Sequence, residues 1–311
     1  MKIKNLFICI FLVTVAVIII IYPERYVKCC FEGLLTWAEC VVPALFPFAV
    51  ISAILTKTGI AEDFSKPFYK VLNKVNLPEC TAACFTLSAL SGYPAGSRTV
   101  AEFYKNGAIS DNNALKVAAL CSTSGPLFII GSVGFKMFGD KIIGVKILLA
   151  HFISVILVGA VFCLFNKNRQ NLKPVVKKQT GNILYDCFYG AANAVLTAGA
   201  FIVFFYTVSK IMCDFNLLYP LCKILNLFFP NDVSLGICRG ILEITGGCLT
   251  LSKSGYSYSV PICGFLITFG GISILLQQLS YLSAMQISAF KFILIKFLQA
   301  VACFLILLFT V

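Results

Sequence analysis

Ser91-Gly92-Tyr93-Pro94-Ala95-Gly96-Ser97 interrupts an apolar stretch, and Glu243-Ile244-Thr245-Gly246-Gly247 interrupts another about 150 residues later. Each is followed by a second interruption, Ser124-Gly125-Pro126 in the first half of the chain and Phe269-Gly270-Gly271 in the second. Glycine and proline within lipid leave backbone groups without partners. Such breaks are tolerated only where the backbone is buried in protein or lines a cavity. Paired breaks at matching places in two halves are the best sequence pointer to a transporter's binding site.

The composition sets these breaks in a membrane. Of 311 residues, 59% are hydrophobic and 12% charged, whereas soluble domains carry about 25% charged residues. The chain therefore reads as polytopic, with no room for a sizeable soluble domain between the apolar runs. The formal charge of +12 would suggest nucleic acid on a soluble protein. Here basic cytoplasmic loops account for it, and no nucleic-acid partner is expected. Most of the fifteen cysteines sit in apolar stretches, among them Cys9, Cys84, Cys121, Cys163 and Cys303, where cysteine acts as a small hydrophobe. With no CxxC pair and one histidine, neither a metal site nor a cofactor is expected.

Lys2 and Lys4 precede an uncharged run from Leu6 to Tyr22, which reads as a retained first helix rather than a cleaved signal. After it the two halves align. Phe31-Glu32-Gly33 matches Tyr185-Asp186-Cys187, and Gly92 matches Gly246, both at a separation of 154; Gly125 matches Gly271 at 146. The difference falls in the polar connection 105–113. Each half reads as a long apolar helix (33–56 and 183–212), a broken segment (80–97 and 234–251), a second broken segment (113–135 and 259–283) and a closing helix (142–166 and 287–311). The expected organisation is a first transmembrane helix with an external loop (1–28), a first repeat (29–166), a basic cytoplasmic linker (167–182) and a second repeat (183–311).

The linker holds Lys167, Arg169, Lys173, Lys177 and Lys178 without an acid, which places it and the N-terminus in the cytoplasm. One crossing puts Glu24–Lys28 outside. The first repeat must then cross an odd number of times, so one of its four apolar segments fails to cross, most simply as a re-entrant hairpin. The second repeat is then upside down. Loop 57–79, expected inside, contains Lys57, Lys66, Lys70 and Lys74; loop 213–233, expected outside, contains Lys223 against Asp214 and Asp232. Arg25 and Lys28 on the outer side count against the scheme. The expected fold class is an all-α polytopic membrane protein of two inverted repeats with broken or re-entrant helices.

Several residues in the breaks could carry chemistry. A helix restarting near Ala95 would present free N–H groups to an anion. Ser91 and Ser97 add hydroxyls, Tyr93 an aromatic face with a polar tip, and Gly92, Pro94 and Gly96 the break itself. Arg98 could pair a carboxylate bidentately, or sit at the interface held by Glu102. Ser122, Thr123 and Ser124 before Gly125 could coordinate an ion or substrate, or bond their own helix carbonyls. Glu243 is an intramembrane carboxylate, a costly and usually functional feature. It could carry a coupling proton, accept hydrogen bonds, or pair with Arg239 one turn earlier. Thr245, Gly246 and Gly247 match the Gly92 region. Gly270 and Gly271 precede Ser273 and Gln277, which share a helix face; Gln277 could meet substrate or join two helices. Glu32 and Asp186 suit helix starts, His151 reads as a packed residue, and Trp37 as an interface anchor. There is no Walker loop, HExxH or GxSxG motif, so no enzyme activity is expected.

The set Ser91–Ser97, Pro126-Leu127-Phe128-Ile129-Ile130-Gly131, Glu243–Gly246 and Phe269–Gly271 with Gln277 resembles the sporulation integral membrane proteins of the YlbJ (SpoVV) type, within the wider nucleoside-recognition, or Gate, domain family. The resemblance runs from about residue 30 to the C-terminus. It implies a fold related to concentrative nucleoside transporters, a multi-pass protein of the bacterial cytoplasmic membrane or outer forespore membrane, and movement of dipicolinic acid from the mother cell toward the spore. The expected function is thus a secondary transporter or facilitator of a small organic anion. A coupling proton or sodium ion and a homo-oligomer are among the expected partners. Nucleoside or nucleobase transport, or a non-transporting role in spore maturation, stands as the alternative.

Overall fold

The computed structural model describes residues 3–60, 63, 66–165 and 182–311. The linker charges and Lys2 lie outside the described residues. Among the described residues all regular structure is helical, with no strand. In the first half, α1 (Ile3–Ile21) leads at Tyr22 into α2 (Pro23–Thr36), which runs through a π-helical turn at Trp37–Val41 into α3 (Val42–Lys57). Next come the short α4 (Tyr69–Lys74), α5 (Cys80–Ser91), α6 (Ala95–Lys105), α7 (Asp111–Leu120), a π-helix at Leu127–Met137 and α8 (Lys141–Phe165). The second half holds α9 (Ile183–Asp214), α10 (Tyr219–Leu225), α11 (Asn231–Leu242), α12 (Ile244–Ser252), α13 (Ser259–Phe269), α14 (Gly271–Leu282) and α15 (Ala289–Leu308).

Five stretches among the described residues are long and apolar enough to cross a membrane: Pro23–Lys57, Lys141–Leu164, Ile183–Asp214, Ser259–Leu282 and Ala289–Leu308. Their outward faces carry exposed large apolar side chains, such as Ile142, Leu149, Ile153 and Ile156 on α8. These residues recur at helical spacing on one side, as a lipid-facing stripe does.

Two expectations need correction. Glu24–Lys28 is not a loop but the first turns of α2. Pro23 occupies the first helical turn, where its missing N–H costs nothing, and Tyr26 and Cys29 bury against Val208 and Ile211 of α9. Trp37 is not an interface anchor. Its indole donates to the Val195 carbonyl at 3.1 Å and its ring lies on Gly199, joining the middles of the two long helices.

α2–α3 and α9 run antiparallel. Arg25 meets the Asp214 carboxylate at one end, and Lys57 meets Asp186 at 2.9 Å at the other. Asn182 caps the start of α9 by accepting from the Tyr185 N–H. Arg25, expected to be an anomalous outer charge, is thus neutralised by an acid of loop 213–233.

Both first breaks are tight hairpins. α6 folds back on α5, with Gly96 against Ser88 and the Cys121 carbonyl. α12 folds back on α11, with Gly247 against Gly240 and Gly236 against Leu251. Each tip meets the break that follows it in sequence. Gly92 has φ +72°, and a Cβ there would lie 2.5 Å from the Gly125 nitrogen. In the second half Gly271 abuts the carbonyls of Gly240 and Ile241. The main core lies where the π-helix, α8, α13 and α15 pack together, with Ile129, Ile147, Leu266, Ile267 and Leu307 fully buried. None of the fifteen cysteines is in a disulfide.

Candidate functional site

A small chamber of about 40 Å³ lies where the breaks converge. Its polar lining is Tyr93 from the first hairpin tip, Ser124 and Gly125 from the break after α7, Glu243 and Thr245 from the second tip, and Gln277 from α14. Leu45 of α3, Phe128 of the π-helix, Ala198 and Ile202 of α9, and Ile274 of α14 form the apolar wall. The volume holds a few waters at most, so the chamber is nearly closed in this conformation.

Each polar group is held by its own surroundings. Glu243 is the N-cap of α12. Its two carboxylate oxygens accept from the N–H groups of Thr245 and Gly246, both at 2.8 Å. A carboxylate at a helix start satisfies orphan donors and the helix dipole together. The same geometry removes those N–H groups from any incoming anion. Arg239 turns elsewhere: it donates to the Thr250 hydroxyl at 3.3 Å and lies over the Tyr206 ring. Gln277 donates to Ser273 at 3.3 Å, as their shared face requires.

Tyr93 is buried, and its hydroxyl donates toward the Thr268 carbonyl at 3.2 Å. The Ser124 N–H donates to His151 Nε2 at 3.0 Å, and His151 Nδ1 faces the Thr268 hydroxyl at 2.9 Å. Thus His151, read from sequence as mere packing, ties the break after α7 to the end of α13. Lys296, which the sequence reading overlooked, is fully buried and donates to the Ser122 carbonyl at 2.7 Å and to the Tyr93 hydroxyl at 3.1 Å. Its signal was a lysine two turns into the twenty-residue, mostly apolar helix α15.

Other predicted residues lie around the chamber rather than in its lining. Ser91 bonds Ser52 at 3.1 Å and the Leu87 carbonyl. Ser122 donates to Gln278, and Thr123 meets Ser88 at 2.9 Å. Pro94 is the residue before the first turn of α6, and Gly246 serves the Glu243 cap. Gly96, Gly247 and Gly271 make close backbone contacts, while Gly270, at φ +93°, turns α13 into α14. The Ser97 hydroxyl is buried with no hydrogen-bond partner among the described residues.

Arg98 is separated from the chamber. It donates to the Gly190 carbonyl and lines a larger cavity of about 440 Å³ with Lys57, Lys105, Glu102, Asp186 and Tyr281. The alternative reading of Arg98 held by Glu102 gives way to this contact, because α6 packs on α5 and α14 and the Arg98 guanidinium reaches the Gly190 carbonyl of α9. Ala49 and Ala194 line this second cavity, whereas Leu45 and Ala198 line the chamber. Four residues of helix separate each pair, about 6 Å, so the two cavities are stacked along α3 and α9.

The arrangement defines an all-helical, multi-pass membrane protein with a buried polar chamber at the meeting point of interrupted helices. The chain is similar over most of its length to the sporulation integral membrane protein YlbJ of Bacillus subtilis (strain 168), with 27% identity over 336 residues, covering 96% of this chain and 81% of that protein. The likeness supports a sporulation membrane protein of the YlbJ type. No family model matches the chain, and no solved structure matches it.

Proposed function

We propose that this protein is a secondary transporter or facilitator of a small organic anion, with dipicolinate the first candidate. The observation that carries the reading is the convergence of four interrupted segments, two from each half of the chain, on one chamber. In this reading the halves are inverted repeats and rock about the chamber to give alternating access. The antiparallel course of α2–α3 against α9 supports the inversion. So does the repeated docking of a hairpin tip on the following break. With the α5–α6 hairpin re-entrant, the first repeat crosses three times, through α2–α3, through α7 with the π-helix, and through α8.

The second cavity sets Arg98, Lys57 and Lys105 against Glu102 and Asp186, with Lys57 paired to Asp186; this leaves a small positive excess beside the chamber that suits an anion. The chamber lining itself carries Glu243 and no cation. That lining favours a second reading, passage of an uncharged nucleoside or nucleobase through hydrogen bonds to Glu243, Thr245 and Gln277. Among the described residues no group of three or more His, Cys, Asp or Glu side chains could hold a metal ion.

Flux in proteoliposomes tests the proposal. Uptake of radiolabelled dipicolinate that unlabelled dipicolinate suppresses and uridine does not is the expected result. Uridine or adenosine flux instead would support the second reading. Absence of flux for all three would overturn transport and favour a non-transporting role in spore maturation.

A further inference from the structure

Lys296 is the buried ionisable group for which the chamber so far has no use. It is the eighth residue of α15, whose other polar residues are the exposed Lys291 and the buried Gln299, and it has no exposed surface. It does not reach water by snorkelling, as lysines near helix ends do. Its partners are a backbone carbonyl and a phenol, with the ammonium also 5.2 Å from the Tyr93 ring centre. Neither partner is charged. A permanent ion held this way deep in a bilayer is a costly arrangement, and such groups mark proton or ion pathways.

Among the described residues no carboxylate forms an ion pair with Lys296. Among the described residues, the other buried titratable side chains on elements packed against α15 are His151 and Cys163 of α8, Lys116 of α7 and Cys263 of α13. Cys121 follows α7, Cys303 lies on α15 itself, and Tyr93 reaches in from the hairpin tip. Glu243 lines the chamber with Tyr93, but both its oxygens are engaged by the Thr245 and Gly246 N–H groups.

The hydrogen bonds of Lys296 suit a group that changes its proton. An ammonium has three donors and spends two, on Ser122 and Tyr93. A neutral amine has two N–H groups and can keep both bonds, so the third proton can leave without orphaning either partner. Both partners belong to the chamber wall or its break. Tyr93 lines the chamber, and Ser122 opens the break that supplies Ser124 and Gly125. The contacts also bridge the halves, because Tyr93 and Ser122 come from the first and Lys296 and Thr268 from the second.

We propose that Lys296 carries a coupling proton, taking up and releasing one proton per transport cycle at its ε-amino group and passing the change to the chamber through Tyr93 and the Ser122 carbonyl. This role, open to Glu243 on sequence alone, moves to Lys296 because Glu243 is committed to capping α12. The inference rests on the transport reading above.

Two measurements test it. In proteoliposomes with about one pH unit across the membrane, one coupled proton can sustain about a tenfold solute ratio. Wild-type protein should accumulate radiolabelled dipicolinate toward that ratio and collapse to unity without the gradient. Lys296→Met should stay at a ratio of one in both conditions, whereas Lys291→Met, at an exposed position of the same helix, should keep the gradient response. Gradient-driven accumulation by Lys296→Met, or its loss in Lys291→Met as well, would overturn the assignment. The second measurement needs no substrate. The difference in melting temperature between wild type and Lys296→Met should change across about pH 6 to 10, because linkage makes stability depend on pH where a group titrates. A constant difference overturns the proposal even if wild-type protein moves neither dipicolinate nor uridine, the result that would sink the transport reading itself. If Lys296→Met does not fold, Lys296→Arg, which keeps a charge that cannot titrate, takes its place in both measurements with the same expected outcomes.

Discussion

Replacing Gly92 by alanine probes the contact on which the chamber depends. Gly92 has φ +72° and ψ −166°, a region occupied almost only by glycine, and holding another residue there costs about 1–3 kcal/mol. The added methyl would also stand 2.5 Å from the Gly125 nitrogen and 3.0 Å from its Cα. Neither neighbour is a flexible side chain, so the hairpin tip must lift from the second break, and such overpacking costs about 1–3 kcal/mol more. The expected destabilisation is therefore about 2–6 kcal/mol. Gly107→Ala is the control: φ is +75°, but nothing lies within 4 Å of the new methyl, so it should cost only about 1–2 kcal/mol. The assay is the temperature at which detergent-purified protein loses its monodisperse peak on size exclusion. Gly92→Ala should fall clearly below Gly107→Ala, with transport lost. If the two variants melt together, the Gly92–Gly125 contact does not hold the tip, and the account of the chamber fails.

Glu243→Gln keeps the side-chain volume but offers one oxygen where two now accept, leaving a buried N–H at the start of α12 unpaired. A loss of about 1–3 kcal/mol in stability and abolished flux should follow, read by the same melt and by proteoliposome uptake. Tyr93→Phe removes the hydroxyl between Lys296 and Thr268; it should fold with a loss of about 1 kcal/mol and show slowed flux. Arg98→Ala should raise the half-saturating concentration of an anionic solute while sparing maximal flux, since Arg98 lines the second cavity and not the chamber; an unchanged half-saturation would remove that cavity from the path. A protease site inserted at Lys70 should be cut from the cytoplasmic face and one at Lys223 from the opposite face, and cleavage of both from one side would refute the inverted arrangement.

Much of the fold was legible because membrane constraints act locally. An apolar run long enough to span has little choice but helix, and glycine and proline mark where the ladder stops. The predicted segments at 234–251 and 259–283 match α11–α12 and α13–α14 to within about three residues, whereas the segment predicted at 80–97 continues in α6 to Lys105. The error at Glu24–Lys28 has a tertiary cause. Charges there looked like a loop, but Tyr26 and Cys29 bury on α9 and Arg25 finds Asp214, contacts that no local pattern contains.

The same division holds at the chamber. Tyr93, Ser124, Gly125, Glu243, Thr245 and Gln277 were all legible as polar or small residues at breaks, and the fold brings them to one cavity. Sequence alone determined that this chain spans a membrane as helices and that four of its segments are broken, because hydropathy and backbone chemistry do not depend on distant residues. Only the tertiary structure decided that Glu243 caps its own helix, that Arg98 belongs to a separate cavity, and that Lys296 and His151 close on the break from behind. Those outcomes depend on which way each hairpin folds back and on which helix it meets. A difference of one turn, about 5.4 Å, sends a side chain into a different cavity.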